Sequence, residues 1–282
     1  MINLQLAVRP ARPTDRMQIA NLIYFEPQVH RHLDWRAPLD WLGAPEYWVL
    51  EQFGSVVAAL ACPPDPEGVA WLRLFAHSSA VPVDEAWARL WATAREALAG
   101  RGLTVAAITT SEWLIPLLTE SGFTGKQQIV VLEQNAAPFQ NRPVPPEILI
   151  RPMTSADLPV VARVDAAGFA PLWRNSEATL RLGFEQAGLA SVAEAEGEIL
   201  GYQISTRSSL GAHLARLAVA PHQQRRGLGY LLVQDLISQL HRQGLYRLTV
   251  NTQNDNSASL ALYQKIGFCL TGEHYHVFTH PL

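Results

Sequence analysis

The sequence predicts an α/β chain (α+β in the stricter usage) made of two tandem copies of one fold. Three observations carry this. Residues 214–268 run as a strand, a glycine-bearing loop, an amphipathic helix, a second strand and a second helix. The first half of the chain echoes the second at a nearly constant shift. Residues 135–146 lie between them with four prolines and no periodicity, which reads as a linker.

The strand comes first. Residues 212–219 alternate loosely and stop at Ala220-Pro221, since proline lacks a ladder donor. Beyond residue 230, Leu231, Leu232, Leu236, Ile237 and Leu240 recur at helical spacing with Gln234, Asp235 and Gln239 opposite, and Gly244 closes the helix. Between strand and helix stands Gln224-Arg225-Arg226-Gly227-Leu228-Gly229. Gly227 and Gly229 remove β-carbons where a phosphate would approach the backbone. The unpaired N–H groups of the first helical turn, and the helix dipole, favour an anion there. Arg225 and Arg226 are unfavourable at a bare helix N-terminus but favourable once an anion is bound. The plainer alternative is a glycine-softened loop with two solvated arginines.

Spacing excludes two nucleotide motifs. A dinucleotide fingerprint needs a third glycine where Leu232 stands, and a P-loop needs Gly-Lys-Ser/Thr after its glycine. Further on, residues 246–250 form a β-rich run and 251–256 are polar. Residues 257–265 read as a helix with Leu260, Leu262, Tyr263 and Ile266 inward. Asn256 is placed to cap that helix, and Gly267 ends it.

This order, Gln-Arg-Arg-Gly-Leu-Gly followed by Asn256, Ser259, Tyr263 and Gly267-Phe268, resembles the GCN5-related N-acetyltransferase (GNAT) superfamily over about residues 147–280. The resemblance implies a mixed, mostly antiparallel sheet flanked by helices in each copy, with acetyl-CoA as cofactor. Leu217, Ala218 and Val219 would pair with the pantetheine arm as an added strand. Gln224, Arg225, Arg226, Gly227, Leu228, Gly229 and Tyr230 would cradle the pyrophosphate. Asn256 and Ser259 would lie along the cofactor, or Asn256 would only cap its helix. Tyr263 would protonate the departing thiolate, because a phenol with a pKa near 10 keeps its proton at neutral pH. A core aromatic is the alternative for Tyr263. Residues 165–188 occupy the place of the family's acceptor-binding helices, so Phe169, Trp173, Arg174 and Glu185 are candidate substrate contacts.

The general base is less legible. Some relatives carry a glutamate on the strand before the second motif, where this chain has Thr249 and Asn251. Glu185, His213, Glu273 and His274 are substitutes, each with a packing or surface role as its alternative.

The repeat rests on ordered matches. Val8-Arg9-Pro10 with Asp15 answers Ile150-Arg151-Pro152 with Asp157. Arg73-Leu74 answers Arg216-Leu217, Gly102-Leu103 answers Gly244-Leu245, and Gly122-Phe123 answers Gly267-Phe268. Carrying the shift through the functional positions sets Asp84 and Glu85 opposite Gly227, and Leu118 opposite Tyr263. Two carboxylates would repel a pyrophosphate and a leucine donates nothing, so the first copy is expected to have lost its site. The domains are therefore drawn as 1–134 (degenerate), 135–146 (linker) and 147–282 (catalytic). The first copy holds seven of the eight tryptophans, of which Trp87 and Trp91 share a buried helical face. Residues 24–47 read as a loop-and-helix region that wraps the partner domain or shapes an acceptor cleft.

Composition bounds the rest. At 282 residues with 48% hydrophobic and 17% charged, the chain is a folded two-domain protein. A net charge of −3 gives no reason to expect nucleic acid. Two cysteines, Cys62 and Cys269, point to a reducing cytoplasm, and no metal site is expected. The start, Met1-Ile2-Asn3-Leu4, reads as no signal peptide, and no apolar run is long enough for a membrane. The expected function is acetyl transfer from acetyl-CoA to a primary amine, on a small molecule or peptide, by direct attack in the second domain. A homodimer is admitted. The rival is a non-catalytic acyl-CoA-binding regulator.

Overall fold

The structure is a computed structural model in which residues 6–282 are described, so the reading of Met1–Leu4 lies outside it. The chain divides into two compact units: residues up to Lys126 with Tyr275–Leu282, and Gln127–His274. Among the described residues no helix is long and apolar enough to cross a membrane.

In the first unit β1 (Leu6–Pro10) and α1 (Arg16–Phe25) precede β2 (Val29–Arg31), β3 (Tyr47–Gln52), β4 (Ser55–Ala61), β5 (Val69–Trp71) and β6 (Leu74–His77). There follow α2 (Val83–Leu98), β7 (Thr104–Thr109) and α3 (Leu114–Glu120). Strands order as β1-β3-β4-β6-β2, while β5 runs parallel to β7. Apolar residues spaced by three and four turn one face of α2 inward: Ala86, Trp87, Leu90, Trp91, Ala94 and Leu98 are all buried. Trp87 and Trp91 stack there with ring centroids 5.8 Å apart. Residues 24–47 are not all loop and helix, because Val29–Arg31 joins this unit's own sheet as β2.

The second unit takes most of β8 (Thr124–Asn135), then β9 (Leu149–Pro152), α4 (Leu158–Gly168), α5 (Glu177–Glu185), β10 (Leu189–Ala195), β11 (Glu198–Ser208) and β12 (Gly211–Val219). It continues through α6 (Leu228–Arg242), β13 (Arg247–Gln253) and α7 (Ser257–Lys265) into the first part of β14 (Cys269–Pro281). Strands run β8-β13-β12-β11-β10-β9, antiparallel except β12 with β13. The polar stretch from residue 251 is partly strand, since Asn251, Thr252 and Gln253 pair with Val131, Val130 and Ile129. Leu231, Leu232, Leu236, Ile237 and Leu240 of α6 are all buried. Truncating Leu236, fully buried in that core, to alanine would cost roughly 2–5 kcal/mol.

These units divide at 126/127 and 274/275, not in the proline-rich stretch where the sequence drew the line. Strand pairing is the reason. β8 comes from the first half of the sequence but hydrogen-bonds β13, and the end of β14 comes from the second half but pairs with β7. Residues 136–146 contain no strand or helix, and they are fastened to α6 inside the second unit. There the Tyr230 hydroxyl donates to Gln140 O (2.6 Å), and Gln234 bonds both main-chain groups of Arg142 (2.8 and 2.9 Å).

The repeat is visible in duplicated ion pairs. Arg9 grips Asp15 with two nitrogens (2.7 and 2.9 Å) and reaches Glu51 (2.6 Å). Arg151 grips Asp157 (2.8 and 2.9 Å) and reaches Glu194 (2.9 Å) in the same way, holding the Asp157 carboxyl down at about 2. One sequence match shifts by a residue: Ala61 faces Leu74 while Ile204 faces Arg216, so Leu74, not Arg73, takes the place of Arg216.

Candidate functional site

In the second unit β12 pairs in parallel with β13 only through Ala212, His213 and Leu214, while its other edge follows β11 out to Val219. The sheet therefore opens past Leu214. The Ala220 N–H bonds Leu200 O on the β11 side. Main-chain groups alternate along a strand, so those of Leu217 and Val219 point into the opening. This is the edge that the family resemblance assigns to the pantetheine arm.

The opening leads to the start of α6. Gly227 is the N-cap with φ 89°, in the left-handed region that favours glycine, and Arg225 before it also has positive φ (63°). The first helical bond is Leu231 N–H to Gly227 O, which leaves the N–H groups of Leu228, Gly229 and Tyr230 without a partner in the helix. The two glycines differ in purpose. A Cβ at Gly227 would meet only the Arg142 guanidinium, at 3.7 Å, whereas one at Gly229 would press on Leu262 at 3.3 Å and Val219 at 3.7 Å. Gly229 thus serves close packing of α6 on α7 and β12. Gln224 also acts within the loop, its amide donating to Val219 O (3.1 Å). Arg225 and Arg226 are exposed, and Arg226 donates to Gln223 Oε1 (3.3 Å). The side chains of Leu228 and Tyr230 are buried, so only their main chain can serve a ligand.

The second motif converges on the first through the Gly229–Leu262 contact. Asn256 caps α7, its side-chain oxygen accepting from Ser259 N–H (3.2 Å). Ser259 is half-buried on the first turn. Tyr263 is 4% exposed and packs on Phe268 with centroids 5.5 Å apart. Among the described residues its hydroxyl meets no hydrogen-bonding partner, although a buried phenol ordinarily finds one. Burial pushes its pKa above the usual 10, so the group is a held donor.

Of the four suggested acceptor contacts, the structure gathers Phe169, Trp173 and Arg174 and leaves Glu185 exposed at the end of α5. Gly168 at the end of α4 approaches Ala218 and Val219 so closely that a Cβ would sit 3.6 Å from each. Phe169 follows, and the Arg216 guanidinium lies 3.5 Å from its ring centroid. Sequence reasoning overlooked the latch behind this turn. Fully buried Asp165 accepts two bonds from Arg216 (2.7 and 2.9 Å), one from the Tyr202 hydroxyl (2.5 Å) and one from Asn175 N–H (2.8 Å). Arg216 also donates to Trp173 O (2.6 Å), and Arg174 is turned back on Phe169 O (3.1 Å). An aspartate inside a helical apolar pattern was the available signal, but nothing in its spacing named Arg216 as its partner.

Among the base candidates, Glu273 and His274 are exposed on β14, and His213 alone sits on the opening strand. His213 Nδ1 lies 2.9 Å from Thr249 Oγ1, and burial lowers its pKa, keeping the ring neutral at pH 7. Among the described residues no group of three or more His, Cys, Asp or Glu could hold a metal ion. An open cavity of about 400 Å³ lies instead by Arg151, Asp157, Arg163 and Glu194. It contains neither motif, and Arg151 already pairs with both of those carboxylates.

Residues 156–268 match the model of the Acetyltransferase (GNAT) family. The "[Ribosomal protein bS18]-alanine N-acetyltransferase" of Salmonella typhimurium is 30% identical over 116 residues, 41% of this chain and 77% of that protein. A mycothiol acetyltransferase of Paenarthrobacter aurescens is 36% identical over 91 residues, 30% of this chain and 28% of that one. A tandem GNAT protein from the clavulanic acid biosynthesis pathway superposes with a TM-score of 0.64 at 16% identity, covering 98% of each chain, a likeness of fold. With that fold, both motifs and a relative covered over most of its length, this chain belongs to the GNAT acetyltransferase family.

Proposed function

We propose that the second unit transfers an acetyl group from acetyl-CoA to a primary amine by direct attack. The observation that carries this is a tyrosine whose ring is buried and whose hydroxyl meets no hydrogen-bonding partner among the described residues, on a helix packed against an opened strand edge. When bound, acetyl-CoA supplies a thioester whose carbonyl carbon is open to an amine and whose sulfur leaves as a thiolate. The chain's own groups fit that donor. Leu217, and Val219 through its N–H, present main-chain groups to its arm, Val219 O being held by Gln224 (3.1 Å), and the N–H groups of residues 228–230 face its diphosphate. A main-chain N–H at the opened edge near Val219 offers a positive dipole to the carbonyl oxygen as it gains charge. Tyr263 gives its proton to the leaving sulfur. His213, neutral and supported by Thr249, takes the proton lost by the amine through a chain of waters.

No carboxylate stands on β13 at Thr249, so amines that are already partly neutral fit best. Near pH 7.4 an α-amine is about one third neutral and a lysine about one part in a thousand. The alanine in the name of the Salmonella relative, an amino acid whose one amine is an α-amine, agrees with that preference. The acceptor enters by the Phe169–Trp173 turn. The missing carboxylate also favours a second reading, a non-catalytic acyl-CoA binder. Turnover with a panel of peptide and small-molecule amines separates the two, because a binder gives one bound ligand and no product. Calorimetry should show one acetyl-CoA per chain; two equal sites would remove the assignment to the second unit alone.

A further inference from the structure

We propose that Arg142, carried by the proline-rich strap, is a further phosphate-binding residue of the donor site. The inference rests on the donor site being the mouth of α6. The strap places this arginine by several contacts. Gln234 accepts from Arg142 N–H (2.8 Å) and donates to Arg142 O (2.9 Å), fixing the backbone from both sides. The guanidinium lies 4.1 Å from the centroid of the Tyr230 ring, and the Tyr230 hydroxyl in turn holds the strap at Gln140 O (2.6 Å). One guanidinium nitrogen comes within 3.7 Å of where a Cβ on Gly227 would be, so the charge sits at the N-cap.

That position is costly for a cation alone. The N-terminus of a helix carries partial positive charge, and Arg225 and Arg226 already stand there. Elsewhere in the chain Arg9, Arg73, Arg151 and Arg216 are paired with carboxylates. Among the described residues Arg142 has none. An immobilised arginine beside free N–H groups, with no acid to balance it, matches a phosphate ester, which a guanidinium binds through two parallel hydrogen bonds. Two phosphates of the donor share that chemistry: the diphosphate bridge and the phosphate on the ribose.

Calorimetric titration of the full chain and its Arg142→Gln and Arg142→Lys variants with coenzyme A and dephospho-coenzyme A tests this. Arg142→Gln should weaken coenzyme A about tenfold, and Arg142→Lys should recover part of that loss, since it restores the charge but not the two parallel hydrogen bonds. If the loss persists with dephospho-coenzyme A, Arg142 meets the diphosphate; if it vanishes, Arg142 meets the ribose phosphate. Unchanged or tighter binding in Arg142→Gln overturns the proposal, as does an equal loss in both variants, which would make the strap purely structural. A wild type that binds neither ligand overturns the donor site itself.

Discussion

The two units treat the same strand edge in opposite ways. In the second unit the edge of β12 beyond Leu214 has no strand beside it. In the first unit the corresponding strand is broken into β5 and β6. Three parallel pairs join β5 to β7, and then β2 pairs along β6 through Val29–Ala76, His30–Phe75 and Arg31–Leu74. His30 reaches further, its Nε2 lying 3.0 Å from Leu72 O. The chain's own residues 29–31 thus fill the edge that the proposed donor would occupy in the second unit. The flanking helix agrees: α2 starts with Asp84 and Glu85, which satisfy its dipole, where α6 starts with a left-handed glycine. At the place of Tyr263 stands Leu118, fully buried in the core. The same sheet and ion pairs are kept while the edge is closed, so architecture and site are separable.

The comparison can be broken most sharply at Gly227. Gly227→Glu puts a side chain in the left-handed region and a carboxylate where an anion is to bind. Acetyl-CoA should bind about a thousandfold more weakly, ~4 kcal/mol, by calorimetry. The converse change, Asp84→Gly with Glu85→Gly, should create no second site, because β2 still fills the edge. A stoichiometry rising to two would show that the carboxylates alone had closed it.

Tyr263→Phe comes next. It should lower kcat roughly a hundredfold with the Kd of acetyl-CoA unchanged; equal turnover would end its role as acid. The closed edge also has a pH signature. Burial lowers the His30 pKa to about 4, so the folded unit keeps that ring neutral while the unfolded chain takes up a proton below about 6.5. Above pH 6.5 the group contributes no pH dependence. As pH falls from 6.5 to 4, stability should drop by about 3 kcal/mol, seen as a falling Tm whose acid slope flattens in His30→Gln. The smallest effect is expected at His213. His213→Asn should lower kcat about tenfold and flatten the acid limb of the pH–rate profile, while the alkaline limb stays above pH 10 with Tyr263.

Much of this was legible in the letters. The loop at 224–229, the Asn256 cap and the inward Tyr263 follow from local rules of glycine, capping and helical period, which act within a few residues. The ordered matches at Arg9 and Arg151 marked a repeat, and only the structure showed that each arginine is ion-paired to its aspartate at the same offset. Arg73 and Arg216 matched one position out, since a bulge changes register without changing composition. Gly229 was read as room for phosphate, and the structure adds that it is also room for Leu262, as both needs call for the same missing Cβ.

The sequence by itself determined the family, the helix that offers its N-terminus and the tyrosine that can give a proton, since each is written in neighbouring residues. Tertiary structure alone decided that β8 and β14 complete opposite units, that β2 closes one edge while the other stays open, and that Arg142 and Arg216 come to the site from 85 residues before Gly227 and 51 beyond Asp165. Strand pairing and ion pairing join residues by distance in space, and no local period of the chain records that distance.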